Sequence, residues 1–336
     1  MNREHALAVG REPHGSAEDD SLLDFSANTN PHVPEGVEDV YRAAFEKSRS
    51  YPTEPPRAFR EAAAAVVDCE PAQVVPTPGG LAAIRAAIAL CVESGDSVLV
   101  PSPSFGEYAR EVRLQGGTPQ FTTENSILTA DPTDHALVIV CNPNNPTGTA
   151  YDDDALLGFA DRCRAAATPL LVDEAFLGFT DRPSMAGVAG VVVARSLTKL
   201  YGLPGLRAGY AVATGEFRTA LANARRPWNV GVPALATGTY CLDQQAFVRA
   251  TRERVESERA RLAAALSDSF DVHPSDAPFL LLDVGDRDVD AVLSHARQSG
   301  IALRDARTFR GLDSHVRIAV RDRTAHDRLL AVLDDV

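Results

Sequence analysis

Five short runs in this chain are apolar throughout: 74–75, 98–100, 137–140, 170–172 and 191–193. Stretches with helical spacing, at 81–93, 106–116 and 153–167, lie between several of them. A strand that alternates apolar and polar residues can leave one face in water, but a strand apolar at every position must be covered on both. Helices between successive strands of this kind provide that cover. The pattern therefore predicts an α/β fold with a mostly parallel sheet flanked by helices. Ligands of such sheets gather at the carboxyl ends of the strands, where the polar residues of note also fall.

The flanking regions read differently. The first 23 residues are polar, include Pro13, His14 and Gly15, and predict an extended arm. A short strand and a turn follow in Leu23-Asp-Phe-Ser-Ala-Asn-Thr-Asn-Pro31. Helical patterns at 37–47 and 58–67 enclose Tyr51-Pro-Thr-Glu-Pro-Pro56, which cannot be regular structure. A long helical pattern at 233–267 leads to strand, helix, strand, strand and helix at 279–284, 289–299, 301–304, 316–320 and 325–333. This part reads as a small α+β domain. The expected organisation is an arm at 1–34, a large domain at 35–235 and a small C-terminal domain at 236–336. No repeat, low-complexity tract, phosphate-binding P-loop or dinucleotide fingerprint is present.

Charge and cysteine usage exclude several functions. A net charge of −13 disfavours binding to nucleic acid or an anionic membrane. No apolar run approaches the roughly 20 residues that span a bilayer, and residues 1–15 hold no apolar core of a secretory signal. Five cysteines, at 69, 91, 141, 163 and 241, are scattered without a C-x-x-C pair. That argues against a disulfide framework or a zinc site and fits a reducing cytoplasm. Only two of the 33 basic residues are lysines, Lys47 and Lys199. The acidic, lysine-poor composition fits adaptation to high salt, and codon usage in a GC-rich genome would produce the same bias.

Lys199 stands in Arg195-Ser-Leu-Thr-Lys-Leu-Tyr-Gly-Leu-Pro-Gly-Leu-Arg207, a glycine- and hydroxyl-rich turn between strand-like runs at 190–194 and 210–213. An amine can lose its proton and attack an aldehyde, whereas a guanidinium stays charged. That chemistry fits the aldehyde of pyridoxal 5'-phosphate. The cofactor's other demands can be checked in the sequence. Ser196, Thr198 and Arg207 would hold its phosphate, with backbone N–H groups at Gly79, Gly80 and Leu81 ahead of a helix. Asp173, ending its strand, would face the pyridine nitrogen, and as a buried acid it predicts a cationic partner. Asn145 would donate to O3', and Phe105 or Tyr108 would stack on the ring.

The order of these features is a glycine turn, an aromatic, Asn145-Pro-Thr-Gly148, Asp173-Glu-Ala175, then Ser196-x-Thr-Lys199 and Arg207. It resembles that of the fold-type I aminotransferases and their relatives, over roughly residues 24–317. The resemblance implies a large pyridoxal-phosphate-binding domain with a mixed, mostly parallel sheet and a small α+β C-terminal domain. Two branches of the family act on phosphorylated substrates: histidinol-phosphate aminotransferases and L-threonine-O-3-phosphate decarboxylases. His14-Gly15, Asp173-Glu-Ala-Phe176, Arg195-Ser-Leu-Thr-Lys199, Pro227-Trp-Asn-Val230 and Gly311-Leu-Asp-Ser314 before Arg317-Ile-Ala-Val-Arg321 look more like the decarboxylases. The implied product is (R)-1-aminopropan-2-ol O-2-phosphate, in cobalamin biosynthesis. By the same resemblance Phe176 borders the cofactor and Arg317 holds the substrate carboxylate. Arg304, His14 and Arg321 hold its phosphate, and Asn28 or Asn30 lines the pocket. Tyr51 would reach the cofactor phosphate of a second subunit, so the implied active unit is a homodimer. The chain departs from the family where Thr77-Pro-Gly-Gly-Leu-Ala82 replaces Gly-Asn-Gly-x-Thr-Glu, so that Leu81 brings no hydroxyl. The arm also lacks the second glycine of His-Gly-Gly. A non-catalytic module of the same fold is a third reading, against which Lys199, Asp173 and Arg207 stand.

Overall fold

The apolar runs are adjacent strands of one sheet in the computed structural model, which describes residues 3–17 and 19–334. Residues 1, 2, 335 and 336, the ends of the expected arm and C-terminal domain, lie outside the described ones, as does residue 18. The strands are β1 Val74–Thr77, β2 Ser97–Ser102, β3 Thr118–Thr123, β4 Leu137–Cys141, β5 Leu170–Asp173, β6 Val191–Ser196 and β7 Gly209–Val212. Their order is β1-β7-β6-β5-β4-β2-β3. Neighbours from β6 to β3 are parallel, while β7 runs antiparallel to both of its neighbours.

Every residue of β4 and β5 is buried, as strands covered on both faces require. Side chains alternate across the sheet with a period of two. Leu137, Ile139 and Cys141 therefore join the core beneath the helices Gly80–Cys91 and Glu107–Gln115. Val138 and Val140 join the opposite core, with Leu156, Phe159 and Ala160 of the helix Asp153–Ala165. Each fully buried aliphatic side chain of this kind contributes roughly 1.5–3 kcal/mol.

Several elements differ from the sequence expectation. β3 was not foreseen: it is an edge strand with no buried position, so its Thr-Pro-Gln-Phe-Thr-Thr shows no apolar run, and an edge tolerates Pro119. The helix Gly215–Ala224 is short and fully buries only Leu221, with Phe217 partly buried against the same core, so its apolar signal is weak. The single long helix expected at 233–267 is two, Val232–Leu242 and Gln245–Leu266, broken at Asp243-Gln244.

The arm is also not extended throughout, since Arg3–Ala8 is a short helix. Its following residues are tied down instead: Arg110 donates to the Gly10 carbonyl at 2.8 Å, and the Ser16 amide donates to Ser26 Oγ at 3.0 Å.

A second sheet is built from β8 Asp271–Val272, β9 Phe279–Asp283, β10 Arg304–Asp305 and β11 His315–Ala319. All its pairings are antiparallel, in the order β10-β11-β9-β8. The strand expected at 301–304 is split. Ile301–Ala302 pairs in parallel with Leu23–Asp24 near the arm, and Arg304 pairs with Arg317 across β10 and β11. This split stitches the arm to the C-terminal sheet and aligns two arginines. Among the described residues, no helix is long and apolar enough to cross a membrane.

Candidate active site

A cavity of about 300 Å³ opens where β4, β5 and β6 end, between the two sheets and under the arm. Lys199 lines it from the turn after β6, half-buried. Burial first, and then the positive charges of Arg317 and Arg207, push its amine down to about 8, with Asp173 acting in the opposite direction. A lysine so placed is partly neutral near physiological pH, as a nucleophilic amine must be.

One end of the cavity suits a phosphate. Gly79 has φ +89°, and a Cβ there would lie 2.7 Å from Arg207 Nη2. A Cβ on Gly80 would meet that of Ser196 at 3.1 Å. The two glycines thus let the start of the helix Gly80–Cys91 approach the Ser196–Arg207 turn closely. No side chain caps that helix, which leaves its first amides for a ligand. Ser196 Oγ and Thr198 Oγ1 lie 2.8 Å apart, and the exposed Arg207 completes the cradle. Leu81 lines the cavity with its backbone and an apolar side chain.

The middle of the cavity suits a flat, protonated ring. Asp173 is buried at the end of β5, and burial pushes its carboxyl upward. The Tyr108 hydroxyl donates to Oδ2 at 2.6 Å and the Ala175 amide to Oδ1 at 3.0 Å; both oppose that shift. Lys199 and Arg195 also favour its ionised form from a distance, but among the described residues no cation forms the foreseen ion pair with it, so a pyridinium nitrogen fits the place. Tyr108 is fully buried with its hydroxyl spent on Asp173, so the partly exposed Phe105 is the aromatic left to cover a ring face. Asn145 uses Oδ1 to accept from Arg317 Nη1 at 2.5 Å, leaving its amide Nδ2 to donate to a ligand. Phe176 closes the cavity, edge-on to Phe279 at 5.1 Å.

The far end carries two buried guanidiniums. Arg317 donates through Nη2 to the Ser26 carbonyl at 2.9 Å, and its Nε is buried without a partner. Burial and the neighbouring Arg304 both work against its charge. Arg304 donates to the Pro13 carbonyl at 2.7 Å and to Thr308 Oγ1 at 2.8 Å. The obvious surface partner, Asp305, is instead held by Arg307 Nε and Nη2 at 3.0 and 2.9 Å. The Phe309 ring lies 5.4 Å from Arg304 and 5.6 Å from Arg317. His14 also borders the cavity, its Nε2 3.2 Å from Glu107 Oε1. Asn28 is buried beside it with Oδ1 unpartnered.

Three foreseen residues lie elsewhere. Asn30 is turned into the interior, donating to the Leu200 carbonyl at 2.7 Å and accepting from Arg254 at 2.8 Å, so it holds the chain rather than a substrate. Arg321 follows the end of β11 and donates to the Asp24 carbonyl at 2.9 Å, away from the cavity. Tyr51 is 77 % exposed and stacks on Trp228 at 4.4 Å. The Ser26 carbonyl, Glu12, Thr308 and Phe309 also line the cavity, and Glu107 borders it through His14, without a sequence expectation for any of them. Only Glu107, an acid inside Phe105-Gly-Glu-Tyr108, carried a usable signal, because it sits between two residues singled out for their rings.

Comparison with known proteins places these features in a wider set. The sequence profile "Aminotransferase class I and II" matches residues 20–333. A histidinol-phosphate aminotransferase of Halobacterium salinarum is 32% identical over 356 residues, 99% of this chain and 94% of that protein. A threonine-phosphate decarboxylase of Salmonella typhimurium is 31% identical over 358 residues, again 99% and 94%. The crystal structure of a histidinol-phosphate aminotransferase from Sinorhizobium meliloti, in complex with pyridoxal-5'-phosphate, superimposes with a TM-score of 0.83 at 22% identity. It covers 93% of this chain and 90% of that one.

Proposed function

The chain belongs to the class I and II aminotransferase family, with its fold-type I architecture and its cofactor pyridoxal 5'-phosphate, and from this premise we propose that it decarboxylates L-threonine O-3-phosphate. One observation carries the reading: Arg304 and Arg317 are direct cross-strand partners, both buried, and neither is paired with a carboxylate among the described residues. Like charges directly opposite one another are destabilising, and buried charge is costly unless paired. Two adjacent anions on the ligand would relieve both costs. Threonine phosphate carries a carboxylate on Cα and a phosphate on the oxygen of the next carbon. Histidinol phosphate carries a phosphate and no carboxylate.

Bound in this cavity, the cofactor supplies an aldehyde for Lys199 and a protonated ring that takes up the electron pair left at Cα. Asp173 holds the proton on the ring nitrogen, and Asn145 Nδ2 donates to the ring oxygen. Arg317, fixed by Asn145 and the Ser26 carbonyl, would grip the substrate carboxylate and so fix the orientation of the bonds at Cα. That orientation separates loss of CO2 from loss of the Cα proton. Arg304 and His14 hold the phosphate. After CO2 departs, Lys199 returns a proton to Cα. The exposed Tyr51–Trp228 ring pair belongs to the same proposal, with Tyr51 reaching the cofactor phosphate of a second copy in a homodimer.

The second reading, a histidinol-phosphate aminotransferase, is favoured by the Halobacterium salinarum relative. A side-by-side product assay separates the two. The proposal expects amine phosphate and CO2 from threonine phosphate with no added 2-oxo acid. Turnover confined to histidinol phosphate with 2-oxoglutarate would overturn it.

A further inference from the structure

The carboxylate of Asp173 is stabilised by neutral donors on both of its oxygens. Ala175 N–H serves Oδ1 at 3.0 Å, and the Tyr108 hydroxyl serves Oδ2 at 2.6 Å. Tyr108 is 0% exposed, on the helix Glu107–Gln115, so no water competes for its hydroxyl. The other titratable or charged groups facing this acid are Cys141, its register partner on β4, Arg195 on β6 and Lys199 in the turn after it. Arg195 is committed to Glu174 at 3.1 Å, and the Cys141 thiol is itself pushed upward by burial. Lys199 is the amine reserved for the cofactor.

We propose that Tyr108 is a positioning residue that keeps Asp173 ionised and aimed at the cofactor's ring nitrogen. A hydroxyl suits this task better than a cation would. An arginine at the same distance would neutralise the carboxylate, and the ring nitrogen would lose the charge that keeps it protonated. A hydroxyl lowers the cost of the buried anion through one strong charge-assisted bond and leaves its net charge for the ring. Burial and the adjacent Asp173 push the Tyr108 phenol well above its ordinary value, so it remains a donor at every working pH. The aromatic ring fills the core under the helix, and the hydroxyl alone carries this role.

The test is a double-mutant cycle on cofactor affinity, read by equilibrium dialysis of pyridoxal 5'-phosphate against the wild type, Tyr108→Phe, Asp173→Asn and the double variant. Phenylalanine keeps the ring and removes only the hydroxyl. Tyr108→Phe is expected to weaken binding on the order of tenfold and, in the Asp173→Asn background, by less than about twofold. Without the hydroxyl Asp173 takes up its proton at higher pH, so in Tyr108→Phe cofactor affinity should begin to fall at a higher pH as the solution is acidified. A merely structural tyrosine would shift melting temperature without moving that pH. Wild-type affinity in Tyr108→Phe, or an equal loss with and without the Asp173 carboxylate, would overturn the proposal.

Discussion

Replacing Arg304 by alanine should separate the phosphate-binding role of this residue from its structural one. In the protein alone, Arg304→Ala removes two hydrogen bonds, to the Pro13 carbonyl and Thr308 Oγ1. Each is worth roughly 0.5–1.5 kcal/mol. The same change removes a positive charge directly opposite Arg317, a relief of roughly 0.2–1 kcal/mol. Net destabilisation should therefore be modest, about 1–2 kcal/mol. Catalysis should suffer more. The phosphate loses charge-assisted hydrogen bonds worth roughly 1.5–3 kcal/mol in total, or about ten- to a hundredfold in kcat/KM. Arg304→Lys should recover only part of this, because an ammonium cannot reproduce the planar fork. The assay compares initial rates on threonine phosphate and on unphosphorylated threonine, with the cofactor absorbance as a control for an intact site. Preference for the phosphorylated substrate should collapse in Arg304→Ala. If it survives, Arg304 does not clamp the phosphate, and the two-anion argument loses half its basis.

Lys199→Ala and Lys199→Arg should lower turnover by on the order of a thousandfold or more while the protein stays folded, whereas Lys47→Ala, at the end of the helix Val37–Lys47, should act as wild type. Covalent capture of added cofactor needs the neutral amine of Lys199, whose pKa is pushed down to about 8. Stopped-flow absorbance should therefore show the capture rate rising with pH through about 8 and levelling above it; an inflection near the ordinary lysine value would contradict the described burial. Gly79→Ala places a Cβ 2.7 Å from Arg207 Nη2 at a φ of +89°. It should cost roughly 1–3 kcal/mol in stability and weaken cofactor binding by displacing Arg207, both measurable by thermal melts with and without cofactor.

The core of the large sheet was legible because β4 and β5 are covered on both faces and betray themselves as unbroken apolar runs. The edge strand β3 lacks that requirement and hid behind its polar residues. At the cavity, residues tied to a strand end or a tight turn, such as Asp173, Asn145 and Lys199, could be placed from local sequence alone. Arg321 and Asn30 could not. Whether an arginine four residues beyond Arg317 faces the cavity depends on where β11 stops, and Asn30 is drawn inward by Leu200 and Arg254, 170 and 224 residues away. The Ser26 carbonyl that fixes Arg317 is a backbone atom, for which residue type carries no signal. Tyr108 stands out in the sequence for its ring, whereas its place in the structure gives weight to its hydroxyl.

A cavity that directs the chemistry at Cα toward the carboxylate of a phosphorylated amino acid must release that carboxylate as CO2. The most direct measurement supplies L-threonine O-3-phosphate labelled with carbon-13 at C1, without any 2-oxo acid, and follows labelled CO2 and amine phosphate together. Release of the two in equal amounts over many turnovers is the predicted result. No labelled CO2, with amino-group transfer appearing only in a parallel run that contains 2-oxoglutarate, would contradict it.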